Sequence, residues 1–460
     1  MLKVCHVFSG TEGGRWVYEQ LDALKREHGC EVVALLGGHE GPTVDLCRNA
    51  GIRTEAFDFA IASWRDAFTF PFRVIRMARW MRRERFDVVQ SHILPSTLFA
   101  RPAAWLADIP VRLTMSTSPY YLQAPSIRWV EAGTAFMETG VIPSCALTTE
   151  LYREAGVSER IIQECLYYGP HEARFDPATA KPEGLRAEMG VPEGTPLVGA
   201  IAIFYARCAD SSFVPPDTRG RFIKGHCDLI RAMHFVRREF PDARLVMVGR
   251  GWGPRGHESE GELEAFVAAE GLSDAVYFAG WRQSTAAVLV DLDVSVQASV
   301  NENLGGTIES LLMARPTVAT RVGGMPDSVV DGETGILANP EDPEDLARGI
   351  CALLRDPERA AALGRAGRAR MLAGFTLTTT VPRLLHLYRR QRAQAPGAWR
   401  RRASLWRFLA GMVIAVPMFG RMLLWDIYVL NILPGRLAGV RRRLRRLRGG
   451  AAAGKPLPSA

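Results

Sequence analysis

The sequence predicts an α/β fold of two doubly wound, Rossmann-like domains facing a cleft, followed by a basic and apolar C-terminal tail. Three observations predict it. Short, continuous apolar runs alternate with helix-length segments, the pattern of βαβ units around a parallel sheet buried on both faces. That alternation occurs twice in series within 460 residues, enough chain for two or three domains. Beyond residue 393 the composition changes sharply to arginine-rich and apolar.

The elements follow in order. Leu2 to Phe8 is an apolar run closed by Ser9-Gly10, and Gly14 to Glu27 has helix length. Val32 to Leu36 is a second strand. The helical stretch Trp64–Glu84 leads into a strand ending at Gln90-Ser91, and Val111 to Met115 reads as another. The second series begins after Phe175-Asp176-Pro177. Its strands are Leu197–Ile203, Ala243–Val248, Val276–Ala279, Val294–Ala298 and Thr317–Thr320, with helices such as His226–Glu239 and Glu258–Glu270 between them. Cys351 to Ala373 reads as a closing helical region. The expected domains are 1–175, 176–392 and a tail at 393–460, with a linker near Gly169 to Pro182 and a ligand cleft between facing carboxyl edges of the two sheets.

Charge divides the same way. The net charge is +8, but residues 395–460 hold thirteen Lys and Arg against one acid, Asp426. The rest of the chain carries 44 basic and 48 acidic residues, which disfavours a nucleic-acid groove running through the body. The eight cysteines form no C-x-x-C pair, and the nine histidines show no metal spacing. Buried free thiols in a reducing compartment are the expectation, with no metal and no bound cofactor. The N-terminus enters a strand directly and has no signal-peptide pattern, so a cytoplasmic body is expected.

Four segments carry chemistry. The densest is 299–311, Ser-Val-Asn-Glu-Asn-Leu-Gly-Gly-Thr-Ile-Glu-Ser-Leu, at a strand-to-helix turn. Gly305 and Gly306 let backbone approach a ligand, and the helix start before Thr307 suits a phosphate. Glu309 stands one turn inside, where a carboxylate accepts two hydroxyls, as from a ribose. Glu302 or Asn301, with Asn303 beside them, is placed to hold a polyhydroxyl ligand. The second is Arg221-Phe-Ile-Lys224-Gly-His226, whose cations suit a diphosphate leaving group. The third is the turn Ser9-Gly-Thr-Glu-Gly13-Gly14. It is not G-x-G-x-x-G, and no Walker A sequence occurs, which disfavours a dinucleotide dehydrogenase or P-loop NTPase. The fourth is His92, at a predicted strand end facing the cleft.

With Arg315-Pro-Thr-Val-Ala-Thr320, Gly323-Gly-Met-Pro-Asp327 and Asp331-Gly-Glu-Thr-Gly335, these segments resemble the family 4 retaining glycosyltransferases, which have the two-domain GT-B fold. The resemblance spans most of 1–390 and is more specific in the second half. It implies that Glu309 binds the nucleotide ribose, that the Glu302 region binds the donor sugar, and that Lys224 with an Arg (Arg207 or Arg221) meets the diphosphate. It also implies that Gly13 and Gly14 approach the donor and that His92 contacts sugar or acceptor. The family spaces its glutamates E-x7-E, whereas Glu302 and Glu309 here have six residues between them, which leaves Asn301 and Glu302 as alternatives for the first position. A retaining transfer from a UDP- or GDP-sugar without a bound metal follows from the same resemblance. The alternatives are a nucleotide-sugar epimerase or hydrolase on this fold, and a membrane-docked scaffold.

The tail begins Ala398-Trp-Arg-Arg-Arg402. Phe408 to Gly420 is uncharged, and Arg421 and Asp426 interrupt the apolar run that follows. Neither apolar run reaches the roughly 20 residues of a membrane span. Leu437, Val440, Leu444 and Leu447 line one face of an arginine-rich helix, a pattern suited to an anionic lipid surface. The expected setting is the inner face of a bacterial-type membrane, with a lipid-linked or glycan acceptor in envelope or exopolysaccharide synthesis.

Overall fold

The computed structural model describes residues 1–395 except 62, 212, 254 and 255. The expectations placed on the tail, including its membrane-facing helix, lie outside the described residues.

Two six-stranded sheets form, each wholly parallel. The first contains β1 (Lys3–Phe8), β2 (Glu31–Leu36), β3 (Arg53–Ala56), β4 (Val88–His92), β5 (Val111–Met115) and β6 (Gly140–Ile142). The second contains β7 (Leu197–Ile201), β8 (Arg244–Val248), β9 (Val276–Gly280), β10 (Val294–Gln297), β11 (Thr317–Thr320) and β12 (Ile336–Ala338). The spatial orders are β3-β2-β1-β4-β5-β6 and β12-β11-β10-β7-β8-β9. Read outward from β9, the second order repeats the first. Each sheet therefore reverses direction at one place, between β1 and β4 and between β7 and β10. Ligands of such sheets bind outside the carboxyl ends of the strands at that reversal.

The central strands are buried on both faces, as the continuous apolar runs require: Val4, Cys5 and Val7 in β1 and Leu245 to Val248 in β8 are at most 1% exposed. Three edge strands escape sequence reading. β3 is Arg-Thr-Glu-Ala, half solvated and polar, while β6 and β12 have only three residues each.

The domain division needs one correction. The helix Leu377–Gln394, expected in the second domain, returns to the first. Its Val381, Leu384, Leu385, Leu387 and Tyr388 share a core with Val4, Leu21 and Val88, and its Gln391 accepts from Thr139 at 2.6 Å. The chain thus crosses between domains twice, and the crossings touch. Tyr167 stacks on Phe375 with centroids 4.0 Å apart, and a Cβ on Gly169 would stand 1.5 Å from the Phe375 carbonyl oxygen.

Candidate functional site

The four segments singled out by sequence follow β1, β4, β7 and β10, the four strands that flank the two reversals. The topology brings all four to the carboxyl edges beside the two reversals.

Lys224 reaches the cleft because Gly225 after it is left-handed, at φ +63°, and its Cα abuts the loop after β10. A Cβ there would lie 1.9 Å from the Ala298 carbonyl oxygen. Val300 N–H donates to Ile223 at 2.9 Å, joining the two loops on the other side of Lys224. The Lys224 ammonium pairs with the Glu302 carboxylate and lies 5.8 Å from the centre of the Tyr205 ring. Burial, the largest single influence, pulls this ammonium down, but the Glu302 charge, Tyr205 and the hydrogen bond to Glu302 together hold it above its ordinary value. Glu302 also accepts from its neighbour Asn303 N–H at 3.1 Å and from Ser299 Oγ at 3.5 Å.

Asn301 points elsewhere: its amide donates to Gln123 of the first domain. Its Oδ1 is buried and has no hydrogen-bond partner among the described residues. Glu302, rather than Asn301, therefore stands against Lys224. Asn303 Oδ1 accepts from Ser144 of the first domain at 3.2 Å, and its carbonyl accepts from Gly324 N–H at 2.8 Å. Gly305 is left-handed at φ +52°, beside the Glu302 side chain, and Gly306 lies against Gln297. Thr307 is fully buried, donating to the Leu304 carbonyl and 2.8 Å from Ser328 Oγ. Its side chain braces the loop and does not face the cleft.

Glu309 lies on the short helix Thr307–Leu312. Burial raises its carboxyl above the ordinary range, opposed by Arg174 and a Thr285 hydroxyl, with smaller effects from Glu19 and Arg15. Thr285 belongs to the second domain itself, whereas Glu19 and Arg15 come from the first helix of the first domain and Arg174 from the segment joining the two. Arg174 pairs with Glu19 at 2.5 Å, and Arg15 stands 3.8 Å from the same carboxylate. Sequence reading missed Arg15, Glu19 and Arg174. Only Arg15, directly after Gly13-Gly14, carried a signal.

The turn after β1 does approach the second domain: a Cβ on Gly13 would lie 3.3 Å from the Trp252 ring. Gly14 N–H donates to Thr43 Oγ1 at 3.1 Å and opens the helix Arg15–Arg26.

Three expected residues are placed differently. Arg207 is half exposed and pairs with Glu262 at 3.0 Å while stacking on Phe222. Arg221 pairs with Glu341. Each is matched to a carboxylate of its own domain, and neither joins the Lys224–Glu302 pair. His92 ends β4 as expected but is fully buried instead of facing the cleft. Its Nε2 lies 3.1 Å from His6 Nδ1, His6 Nε2 lies 3.0 Å from the Tyr388 hydroxyl, and that hydroxyl donates to Gln90 at 2.7 Å. One direction of donation along this chain satisfies it with both imidazoles neutral. Burial pushes His6 down to about 3 and His92 well below its ordinary value, which fits. Beside His92, a small pocket opens at the ends of β4 and β5, lined by Thr97, Thr114, Ser116, Tyr121, Glu131 and others.

Among the described residues, no three His, Cys, Asp or Glu side chains gather in a metal-holding group, and no helix is long and apolar enough to cross a membrane. The site offers a cation held by a carboxylate, a second half-buried carboxylate, and amide and hydroxyl groups from both domains.

Comparison with known proteins bears on the same halves. Residues 13–163 match the glycosyl transferase 4-like domain, and residues 218–356 match the domain described as glycosyl transferases group 1. The chain is 29% identical over 305 residues to the 2-deoxystreptamine glucosyltransferase of Streptomyces kanamyceticus, covering 62% of this chain and 73% of that protein. It is 26% identical over 385 residues to the lipopolysaccharide core biosynthesis glycosyltransferase LpsE of Rhizobium meliloti, covering 82% and 95%. The crystal structure of Anabaena HepE with UDP and glucose superposes with a TM-score of 0.69 at 18% identity, covering 84% of this chain and 99% of that one. That likeness establishes the two-domain fold.

Proposed function

The chain belongs to the glycosyltransferases that join a 4-like domain to a group 1 domain, and on that premise we propose that it moves a sugar from a nucleotide-sugar donor, UDP- or GDP-linked, with retention of anomeric configuration. The observation that carries this reading is the Lys224–Glu302 pair at the switch point, with Glu309 in the first turn of the helix that follows.

The chemistry follows from the charges. A diphosphate leaving group gathers negative charge as the glycosidic bond breaks, and a fixed ammonium stabilises it without reorganisation. When a phosphate oxygen accepts from Lys224, a Glu302 oxygen is released to accept a sugar hydroxyl. Glu309, ionised, accepts the two ribose hydroxyls. Retention is consistent with attack on the face the diphosphate leaves, its phosphate taking the acceptor proton, so the protein supplies position and charge. No metal is needed in this scheme. The relatives' names, one acting in lipopolysaccharide core synthesis, support a glycan or lipid-linked acceptor. The basic tail supports peripheral attachment at the cytoplasmic membrane face.

Calorimetric titration of the full chain with UDP- and GDP-sugars tests the reading. One of them binds, and Glu309→Gln weakens it about tenfold or more, the loss of charge-assisted hydrogen bonds worth about 1.5–3 kcal/mol. Binding of neither donor, or an unchanged Glu309→Gln affinity, ends it. Nuclear magnetic resonance of the glycoside product decides retention.

A further inference from the structure

The helix Trp64–Glu84 of the first domain is anchored on one face and apolar on the opposite one. Its Val74, Met77, Ala78 and Met81 pack into the core with Phe99. On the outer face Phe68 is 71% exposed, Phe72 65% and Ile75 42%. The line continues at helical spacing, 68, 72, 75, 79, into a set of arginines: Arg76, Arg79, Arg82 and Arg83 are all exposed. The two acids of this helix are already occupied. Asp66 caps the first turn through Ser63, and Glu84 pairs with Arg53 at 2.9 Å and Lys3 at 3.1 Å.

The exposure is not fraying. Arg73, buried, donates to the carbonyls of Asp58 at 3.2 Å, Ala60 at 2.6 Å and Asp66 at 3.0 Å, so the first turns are fastened to the loop after β3. Phe68 and Phe72 are held out, their centroids 6.3 Å apart. A rigid aromatic pair joined to an arginine row along roughly 22 Å of helix is the pattern of a surface that lies on an anionic bilayer, rings in the acyl boundary and guanidinium groups among the phosphates.

We propose that this helix face docks on an anionic lipid surface, independently of the tail. Charge selects that occupant over the tail itself: residues 395–460 carry thirteen cations and one acid, so they repel the arginine row. The last described helix ends beside this row, with Arg392 paired to Asp87 at 2.8 Å, three residues after Glu84. Tail and helix thus leave the same side of the first domain. The aromatic end departs from the loop after β3, at the carboxyl edge of the sheet that forms the cleft. A docked helix would bring that edge to the headgroups, which deepens the proposal of a lipid-linked acceptor and rests on it for that point alone.

The test uses the full chain with benzoylphenylalanine at position 72, irradiated with phosphatidylcholine vesicles with or without phosphatidylglycerol. The expected result is a phosphatidylglycerol adduct on the peptide carrying residue 72, severalfold weaker with neutral vesicles and with Arg79→Glu and Arg83→Glu together. Flotation of the chain with vesicles but no adduct at 72 shows docking by the tail alone and overturns the proposal. Failure to float, or an adduct joining two copies of the chain, overturns it as well. In the parent background, Phe68→Ser with Phe72→Ser lowers the floated fraction severalfold. The adduct is read without turnover, so a chain that transfers no sugar can still support the docking, and a chain that transfers sugar can still fail it.

Discussion

At the scale of single residues, the Lys224–Glu302 pair concentrates the chemistry. Lys224→Met keeps length and apolar contact but removes the charge that meets the leaving group. We expect kcat to fall about 10²–10³-fold, the usual cost of one preorganised stabilising group, with circular dichroism unchanged. A variant with the parent kcat would show that the ammonium serves only to hold the loop. Asn301→Asp is the contrasting substitution, since its side chain is tied to Gln123 and not to Lys224. Much of this was legible in the sequence: a Lys-Gly step and two glutamates at a strand-to-helix turn are local patterns. What was not legible is long-range pairing. Arg207 and Arg221 read as free cations because Glu262 and Glu341 stand 55 and 120 positions away. Arg174 and Glu19 meet beside Glu309 from different elements, and nothing in either one's local sequence announces the other.

At the scale of elements, the loops work because backbone meets backbone. Gly225 combines a left-handed φ of +63° with a carbonyl 1.9 Å from any Cβ, whereas Gly220 has φ +73° and nothing within 4 Å. Gly220→Ala should therefore cost only the left-handed strain, about 1–2 kcal/mol. Gly225→Ala should cost clearly more and displace Lys224, lowering both the urea midpoint and donor affinity. Equal midpoints for the two variants would mean that the loop after β10 yields freely. The strands themselves were legible where they lie inside a sheet, because burial on both faces demands an unbroken apolar run. The polar β3 lies at an edge where that demand lapses, while the edge strands β6 and β12 are buried and apolar but only three residues long, too short to stand out. His92 shows the same limit: a strand end can be read from sequence, but the Tyr168 that packs and hydrogen-bonds against it arrives from 76 residues further on.

At the scale of the molecule, three buried imidazoles tie stability to pH. Burial pushes His6 and His226 down to about 3, and His92 well below its ordinary value. These rings stay neutral in the folded chain, while the unfolded chain takes up protons below about pH 6.5. Stability is thus fully present above about 6.5 and is lost as the pH falls toward 3, at about 1.4 kcal/mol per pH unit for each such ring. The urea midpoint should drop between pH 7 and pH 5. A midpoint that holds or rises would mean that the rings gain protons inside the fold.

The double crossing at Gly169 and Phe375 constrains more than assembly. Two bodies joined by one connection can swivel freely, whereas two connections in contact restrict their relative motion. Because the last helix is fixed to the first domain, whatever residues 396–460 hold is held by that domain, although they follow the second in sequence. With the first domain docked as proposed, the half that closes over the donor would be the one bearing Lys224, Glu302 and Glu309.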